Sequence, residues 1–401
     1  MEKRGKEQAG KGLSVYAHVP FCKSKCPYCD FNSVKSGNVP EKDYARALIE
    51  ELGFVLENED LRFSPFTKGS QRGFGNQEGP LKTLYIGGGT PSLIEAKTVG
   101  AILEGIFNAL PPVKDVEITL EANPDTTSLE KLRGLKKTGV NRISIGVQSF
   151  DDKDLRSLGR THDAAKSILA VINAEKAGFK NICIDLIFGI PGQSLSAWEV
   201  SLKKTIELRA KHVSIYCLKI EEGTPFYDMQ KKGEIKTLSE DLEIEMYLTA
   251  MEMLKHAGYV HYEISNFSLP GFESRHNCNY WKGGGYIGLG AGAHSYSKHP
   301  GFGKRWWNEK DPYKYMELAC KGKGVATGSE ILTKEQALTE GLFLGIRVIE
   351  GINEKEFEAR FGVPIDTAMD VERFTSEGLL VREGAMLRLT QKGILLSNEV
   401  F

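Results

Sequence analysis

The 401-residue chain has almost no net charge and no long apolar run, and its opening residues are not expected to direct secretion. Its 52 basic residues are offset by 53 acidic ones, so no global field draws it to nucleic acid or to an anionic membrane. No apolar stretch approaches the ~20 residues needed to cross a bilayer. The opening Met-Glu-Lys-Arg-Gly-Lys-Glu-Gln-Ala-Gly is charged and lacks an apolar centre, unlike a secretory signal, and its acidic residues argue against a transit peptide. Cysteine is scarce, with seven residues, and nothing marks an oxidising compartment, which argues against a disulfide framework. No Gly-x-Gly-x-x-Gly opens a helix after the first strand-like run, so a dinucleotide-binding sheet is disfavoured. The expectation is a soluble, cytoplasmic protein with ordinary apolar and charged content, long enough for two or three domains.

The cysteines that are present are concentrated. Cys22, Cys26 and Cys29 lie within eight residues with C-x3-C-x2-C spacing. Such a loop can place three thiolates around one corner of a metal–sulfur cube. A [4Fe–4S] cluster usually takes four cysteines, so three would leave one iron open to bind and split something. The competing reading is a structural zinc site with His18 or a distant cysteine as fourth ligand. Zinc sites usually come as two spaced ligand pairs, and that pattern is not seen here.

From residue 14 onward, β-rich runs alternate with helical periodicity. Strands are expected at Ser14–Val19, Thr83–Gly87, Val116–Glu121, Arg142–Gln148, Ile182–Phe188 and His212–Lys219, and helices near 41–58, 95–109, 128–138, 161–177 and 196–209. Six strands alternating with helices imply parallel βαβ units with right-handed crossovers, a six-unit βα barrel or partial barrel. The Gly/Pro-rich stretch 62–80 interrupts the pattern and reads as a mobile surface insertion without chemistry. Glycine or polar residues mark the strand ends: Gly87-Gly88-Gly89-Thr90-Pro91, Glu121, Gln148, Asp185 within strand five and Lys219 late in strand six. The C-terminal strand ends form the active face of βα barrels, so these residues and the cysteine loop converge on one site.

After residue 220 the alternation stops. A charged amphipathic helix is expected near 239–257 and a strand at Tyr262–Phe267, before the run 283–295, whose glycines permit close backbone approach. From about 330 a small module begins, with a Thr333/Gln336 capping box, helices near 353–361 and 365–377, and a hairpin of Leu379–Arg382 with Met386–Thr390 around Glu383-Gly384. That order suggests a winged-helix-like α+β module, without the strongly basic helix DNA binding favours. The expected divisions are 1–220 for the partial barrel, 221–328 for an extension and 329–401 for the C-terminal module.

The cysteine motif, with Tyr28 before its last cysteine, and Gly-Gly-Gly-Thr-Pro after strand two resemble the radical S-adenosylmethionine superfamily. The resemblance extends to its coproporphyrinogen III oxidase-like branch, within that to the HemW-type haem chaperones, and covers roughly residues 12–401. It implies a partial (β/α)6 radical-SAM barrel of the α/β class. Cys22, Cys26 and Cys29 would hold a [4Fe–4S] cluster whose open iron takes the amino and carboxylate groups of S-adenosylmethionine. One electron would then yield a 5′-deoxyadenosyl radical, chemistry that belongs to the cofactor. By the same resemblance Tyr16, Tyr28, Gly88, Gly89, Thr90, Glu121, Gln148, Arg160 and Asp185 would contact S-adenosylmethionine. Asp185 suits ribose hydroxyls, and Arg160 or Glu121 suits charged groups. Some relatives bind a second molecule of this cofactor.

Two features separate the branches. The oxidases carry a further cysteine two residues after the third cluster ligand, and Phe31 stands there in this chain. His276-Asn277-Cys278-Asn279-Tyr280-Trp281 matches the H-N-x-x-Y-W motif of the haem chaperones. An imidazole suits axial haem ligation, so His276 is the expected ligand and Cys278 an alternative. The resemblance therefore implies a haem chaperone that passes haem to acceptor proteins (respiratory and membrane-associated ones among them), an electron donor for the cluster, and no nucleic-acid partner. The rival reading is an oxygen-independent coproporphyrinogen III oxidase, which Phe31 argues against.

Overall fold

The computed structural model describes residues 12–59 and 81–400; the expected insertion at 62–80 lies outside the described residues. The six expected strands form, with small shifts of boundary. They are β1 (Leu13–Val19), β2 (Leu81–Gly88), β3 (Pro112–Ala122), β4 (Arg142–Gln148), β5 (Asn181–Phe188) and β6 (His212–Cys217). The last stops short of Lys219, which is an exposed residue beyond the strand. Helices α1 (Glu41–Asn58), α2 (Ala96–Ala109), α3 (Leu129–Thr138), α4 (Asp152–Ser157), α5 (Ala164–Lys176) and α6 (Leu195–Glu207) make the crossovers. The short α4 was not expected.

The alternation along each strand explains the architecture. Residues on one face, such as Val15, Ala17, Leu84, Ile86, Ile118, Leu120, Ile143, Ile145, Ile184, Leu186, Val213 and Ile215, are apolar and buried. They pack under the helices, whose buried stripes recur at three- and four-residue spacing, as Tyr44, Leu48, Leu52 and Val55 do on α1. Successive strand side chains point to opposite faces, so the alternate residues turn into the barrel. Those are polar: Ser14, Tyr16 and His18 on β1, Glu117, Thr119 and Glu121 on β3, Arg142 and Ser144 on β4, Cys183 and Asp185 on β5, and His212, Ser214 and Tyr216 on β6.

Beyond residue 220 come α7 (Pro225–Lys231), α8 (Glu240–His256) and the pair β7 (Val260–Glu263) and β8 (Asn266–Ser268), where a single strand was expected. They are followed by α9 (Arg275–Trp281), β9 (Tyr286–Leu289), β10 (His294–Ser297), β11 (Lys304–Asn308), α10 (Pro312–Cys320) and β12 (Ala326–Ile331). The sheet order is β12-β11-β10-β9-β1-β2-β3-β4-β5-β6-β8-β7. Because β9 pairs with β1 in parallel, the barrel has a seventh parallel strand beyond the six expected, drawn from the glycine-rich run. Gly288 suits that place, since a Cβ there would fall 1.9 Å from the His294 carbonyl oxygen.

The C-terminal module contains helices Lys334–Ile346, Glu354–Phe361 and Val371–Ser376 and strands Ile352–Asn353, Leu380–Glu383 and Met386–Leu389. The three strands form a separate antiparallel sheet, and Thr333 and Gln336 make the anticipated capping box. The module rests on the barrel extension through the Arg347 guanidinium, 4.7 Å over the Trp281 ring, and through a bridge between Glu263 and Val348.

One buried knot ties α1 to the extension. The Glu51 carboxylate accepts from the Gly290 backbone N–H at 2.8 Å, from Asn308 Nδ2 at 2.6 Å and from the Tyr315 hydroxyl. Burial nevertheless pushes its pKa up to about 7. Replacing Glu51 by Ala leaves three buried donors without an acceptor, at roughly 1–3 kcal/mol each before relaxation. We expect Glu51→Ala to lower stability by about 3–4 kcal/mol and Glu51→Gln to lose clearly less. Denaturant midpoints of the two variants check this, and equal losses would show that the acceptor oxygens are not what matters.

Candidate functional site

The cysteine loop leaves the C-terminal end of β1 and is closed at its base by pairing of Phe21–Cys22 with Val34–Lys35. Cys22 is buried, Cys26 and Cys29 are half-buried, and all three are free thiols. The end of β2 clamps the loop from below. Gly89 N–H donates to the Val19 carbonyl at 2.8 Å, Thr90 N–H to the Phe21 carbonyl at 2.9 Å, and the Thr90 hydroxyl reaches Cys22 Sγ at 3.5 Å. This contact explains the glycines. A Cβ on Gly89 would lie 2.9 Å from Cys22 Sγ, and one on Gly88, whose φ is +117°, would lie 2.6 Å from the His18 ring.

His18 itself is committed elsewhere. Its Nε2 meets the Asn32 carbonyl at 2.8 Å and its Nδ1 the Tyr16 hydroxyl at 2.9 Å, and burial lowers its pKa. It is a neutral brace of the loop, not the fourth ligand that the zinc reading asked for. Asn32 extends the brace by donating to the carbonyls of Ala291 and Lys310 at 2.9 and 3.0 Å. Phe31 points outward and keeps 63% of its surface exposed.

The other expected residues gather around this loop. Arg160 follows α4, and its Nη1 lies 3.5 Å from Cys26 Sγ while its Nη2 donates to the Gly146 carbonyl at 3.1 Å. Its Nε is buried with no partner among the described residues. Tyr28 is half-buried beside Arg160, and desolvation raises its pKa despite that cation. Gln148 ends β4 with φ +69°, a left-handed conformation that costs a non-glycine residue of order 1 kcal/mol and concentrates at functional sites. Glu121 accepts from the Gly88 N–H at 3.0 Å and from the Tyr85 hydroxyl at 2.9 Å. Asp185 accepts from Ser144 Oγ at 3.0 Å and from the Cys183 thiol at 3.1 Å. Burial, with repulsion from Asp185, pushes Glu121 up to about 7, and burial raises Asp185. A carboxyl such as Glu121, on the edge of protonation, favours a cationic ligand, which restores its charge.

Below this rim the barrel interior is polar. Tyr216, inside the ring of strands, keeps 44% of its surface uncovered, and Thr119 Oγ1 and Arg142 Nε lack partners among the described residues. The floor is α9. Its N-terminus sits on the Glu117 carboxylate, which accepts from the Arg275 and His276 N–H groups at 3.1 and 3.0 Å. His276 is thereby placed in the lumen, 1% exposed, with Nδ1 2.8 Å from Thr83 Oγ1 and Nε2 2.8 Å from the Tyr280 hydroxyl. Thr83 and Gly88 are five positions apart on β2, roughly 16 Å of strand. The cysteine loop and His276 therefore lie at opposite ends of the barrel strands. Cys278, two residues on in a short helix, lies off the face that His276 and Tyr280 share.

A family model described as the Radical SAM superfamily matches residues 71–205, and one described as the HemN C-terminal domain matches residues 332–396. Curated relatives named heme chaperone HemW align over nearly the whole chain. The Bacillus subtilis protein is 37% identical, with 97% of this chain and 98% of the relative covered, and the Lactococcus lactis protein is 36% identical, with 98% and 97% covered. The chain belongs to the HemW family. The Escherichia coli member is 33% identical over 97% of both chains. Among solved structures, the coproporphyrinogen III oxidase HemN of Escherichia coli superposes with a TM-score of 0.77 over 97% of this chain and 89% of its own, at 20% identity, a likeness of fold.

Membership of the Radical SAM superfamily implies a [4Fe–4S] cluster with S-adenosylmethionine, and the residues present fit both. Three free thiols share one short loop, the glycine backbone of β2 leaves no side chain beneath it, and a buried guanidinium nitrogen stands unpartnered beside Cys26. The carboxyls of Glu121 and Asp185 suit the sulfonium charge and the ribose hydroxyls. What the motif reading missed is the polar lumen below (Tyr85, Arg142, Ser144 and Tyr216), although the period-two alternation carries that signal.

Glu121 yields a pH prediction. Its folded pKa near 7 lies above its ordinary 4.5, so the folded state holds the proton more tightly and the parent loses stability as pH rises between these values. Glu121→Gln removes that loss. The ligand-free variant should gain roughly 1–3 kcal/mol on the parent between pH 5 and pH 8, read from urea unfolding at both pH values. A constant difference would mean that Glu121 titrates normally.

Proposed function

We propose that the protein binds haem in the cytoplasm and hands it to acceptor proteins, with a [4Fe–4S] cluster on Cys22, Cys26 and Cys29, S-adenosylmethionine at the upper rim and His276 as the haem-iron ligand. The observation that carries this reading is His276 itself, a buried imidazole at the foot of the barrel strands, held by Thr83 at Nδ1 and meeting the Tyr280 hydroxyl at Nε2. Full-length likeness to proteins named heme chaperones supports it. Among the described residues no helix is long and apolar enough to cross a membrane, so acceptors seated in membranes would be met from the aqueous side.

When bound, the cluster and S-adenosylmethionine supply one-electron bond-breaking chemistry, for which an electron donor is required. The chain's own residues do the rest. Gly88, Gly89 and Thr90 offer backbone to the methionine end, and Asp185, with Ser144, holds the ribose. Glu121 and Arg160 meet the charged groups, and Tyr16, Tyr28 and Gln148 close the sides. The residues 1–220 and 221–328 then act as one chamber, with 329–401 packed against its floor. An oxidase needs a proton or ligand group beside the cluster loop, and the outward Phe31 ring supplies neither.

His276→Ala should abolish stable haem binding, measured by titration with haemin, while the reconstituted cluster keeps its iron and its absorption. Haem binding equal to the parent would remove the ligand assignment. Protoporphyrinogen formation in step with methionine release, in an anaerobic assay of the cluster-loaded protein, would establish the oxidase reading instead.

A further inference from the structure

His276 is not free to bind iron as it stands. Thr83 Oγ1 donates its proton to Ser14 Oγ at 2.8 Å, so toward the His276 Nδ1, also at 2.8 Å, it acts as acceptor. Nδ1 therefore carries the imidazole proton and Nε2 the lone pair, since a neutral imidazole has one of each. The Nε2 lone pair is the one a metal would take, and it accepts the hydroxyl proton of Tyr280 at 2.8 Å.

We propose that Tyr280 is a latch on the haem-iron site: its phenol caps the His276 lone pair, and haem ligation proceeds by exchange of that hydrogen bond for the iron. The inference rests on the reading of His276 as haem ligand given above. The exchange is neutral: the O–H bond stays intact, Nδ1–H stays on Thr83, and only the partner of the lone pair changes.

The surroundings permit the motion. His276 and Tyr280 sit four residues apart on α9, a helix of seven residues. Tyr280 packs edge-on to His276 and to Tyr286, with ring centroids 4.9 and 4.6 Å away. Three consecutive glycines, Gly283, Gly284 and Gly285, follow the helix, and Gly283 adopts φ +59°. The C-terminal module reaches this hinge on both sides, with Arg347 over the Trp281 ring and Arg360 against Gly283. The end of α9 is thus a point at which a change in the module would reach the latch.

The test compares the full-length parent with Tyr280→Phe, His276→Ala and the double variant, using stopped-flow mixing with haemin and the final haem spectrum. Tyr280→Phe should bind haemin roughly five- to tenfold faster or tighter, the scale of one buried hydrogen bond, with the parent's final spectrum, and the double variant should match His276→Ala. Unchanged binding by Tyr280→Phe beside a dead His276→Ala sinks the latch and leaves the ligand assignment standing. Normal binding by His276→Ala removes the ligand assignment instead. Loss of binding in a folded Tyr280→Phe also overturns the latch. Independently of any variant, nitrogen NMR of the haem-free parent should show His276 protonated on Nδ1 alone; a proton on Nε2 contradicts the proposal.

Discussion

The cost of placing polar groups inside a ring of strands governs this molecule. A buried charge without a partner is destabilising by several kcal/mol, yet the lumen contains Glu117, Glu121, Asp185 and Arg142 together with His212 and His276. Most are anchored. Glu117 caps α9, Glu121 holds Tyr85 and the Gly88 amide, and Asp185 takes Ser144 and Cys183. His212 lies between the Cys183 thiol at 2.9 Å and the Tyr262 hydroxyl at 2.7 Å. Arg142 Nε and Thr119 Oγ1 are the exceptions, buried without a partner among the described residues.

The same network divides the chamber by chemistry. On the proposed reading, Glu121, on the edge of ionisation, and a guanidinium beside Cys26 would address charged groups of a small ligand at the rim. At the floor, imidazole, phenol and hydroxyl groups would address a metal. Glu121 near the rim and Glu117 near the floor lie on one strand, β3, so the two ends are built on a common rigid element. Sites on strands hold their geometry more closely than sites on loops.

Much of this was legible in the residues. The ligand trio was plain because its spacing is local, and β1 to β6 were plain because apolar residues recur at every second position. The capping box at Thr333 held for the same local reason. The strand β9 was hidden because five of the eight residues from 283 to 290 are glycines, which weaken strand propensity, and its pairing with β1 spans most of the chain. His18 looked like a metal ligand because its commitment to Asn32 and Tyr16 is tertiary. The occupied state of His276 was equally invisible, because Thr83 lies 193 positions away.

The main sheet is a linear series that begins at β12 and finishes at β7, so among the described residues its two edges do not pair with each other. A closed barrel has a circumference fixed by its strand number and stagger, and a wider cargo cannot enter without rupturing a ladder of hydrogen bonds. Here the gap is spanned by the C-terminal module instead: its Val348 bridges to Glu263 on one edge strand, and its Glu340 pairs with Arg305 next to the other, so the seam is held by one bridge and side chains and not by a strand ladder.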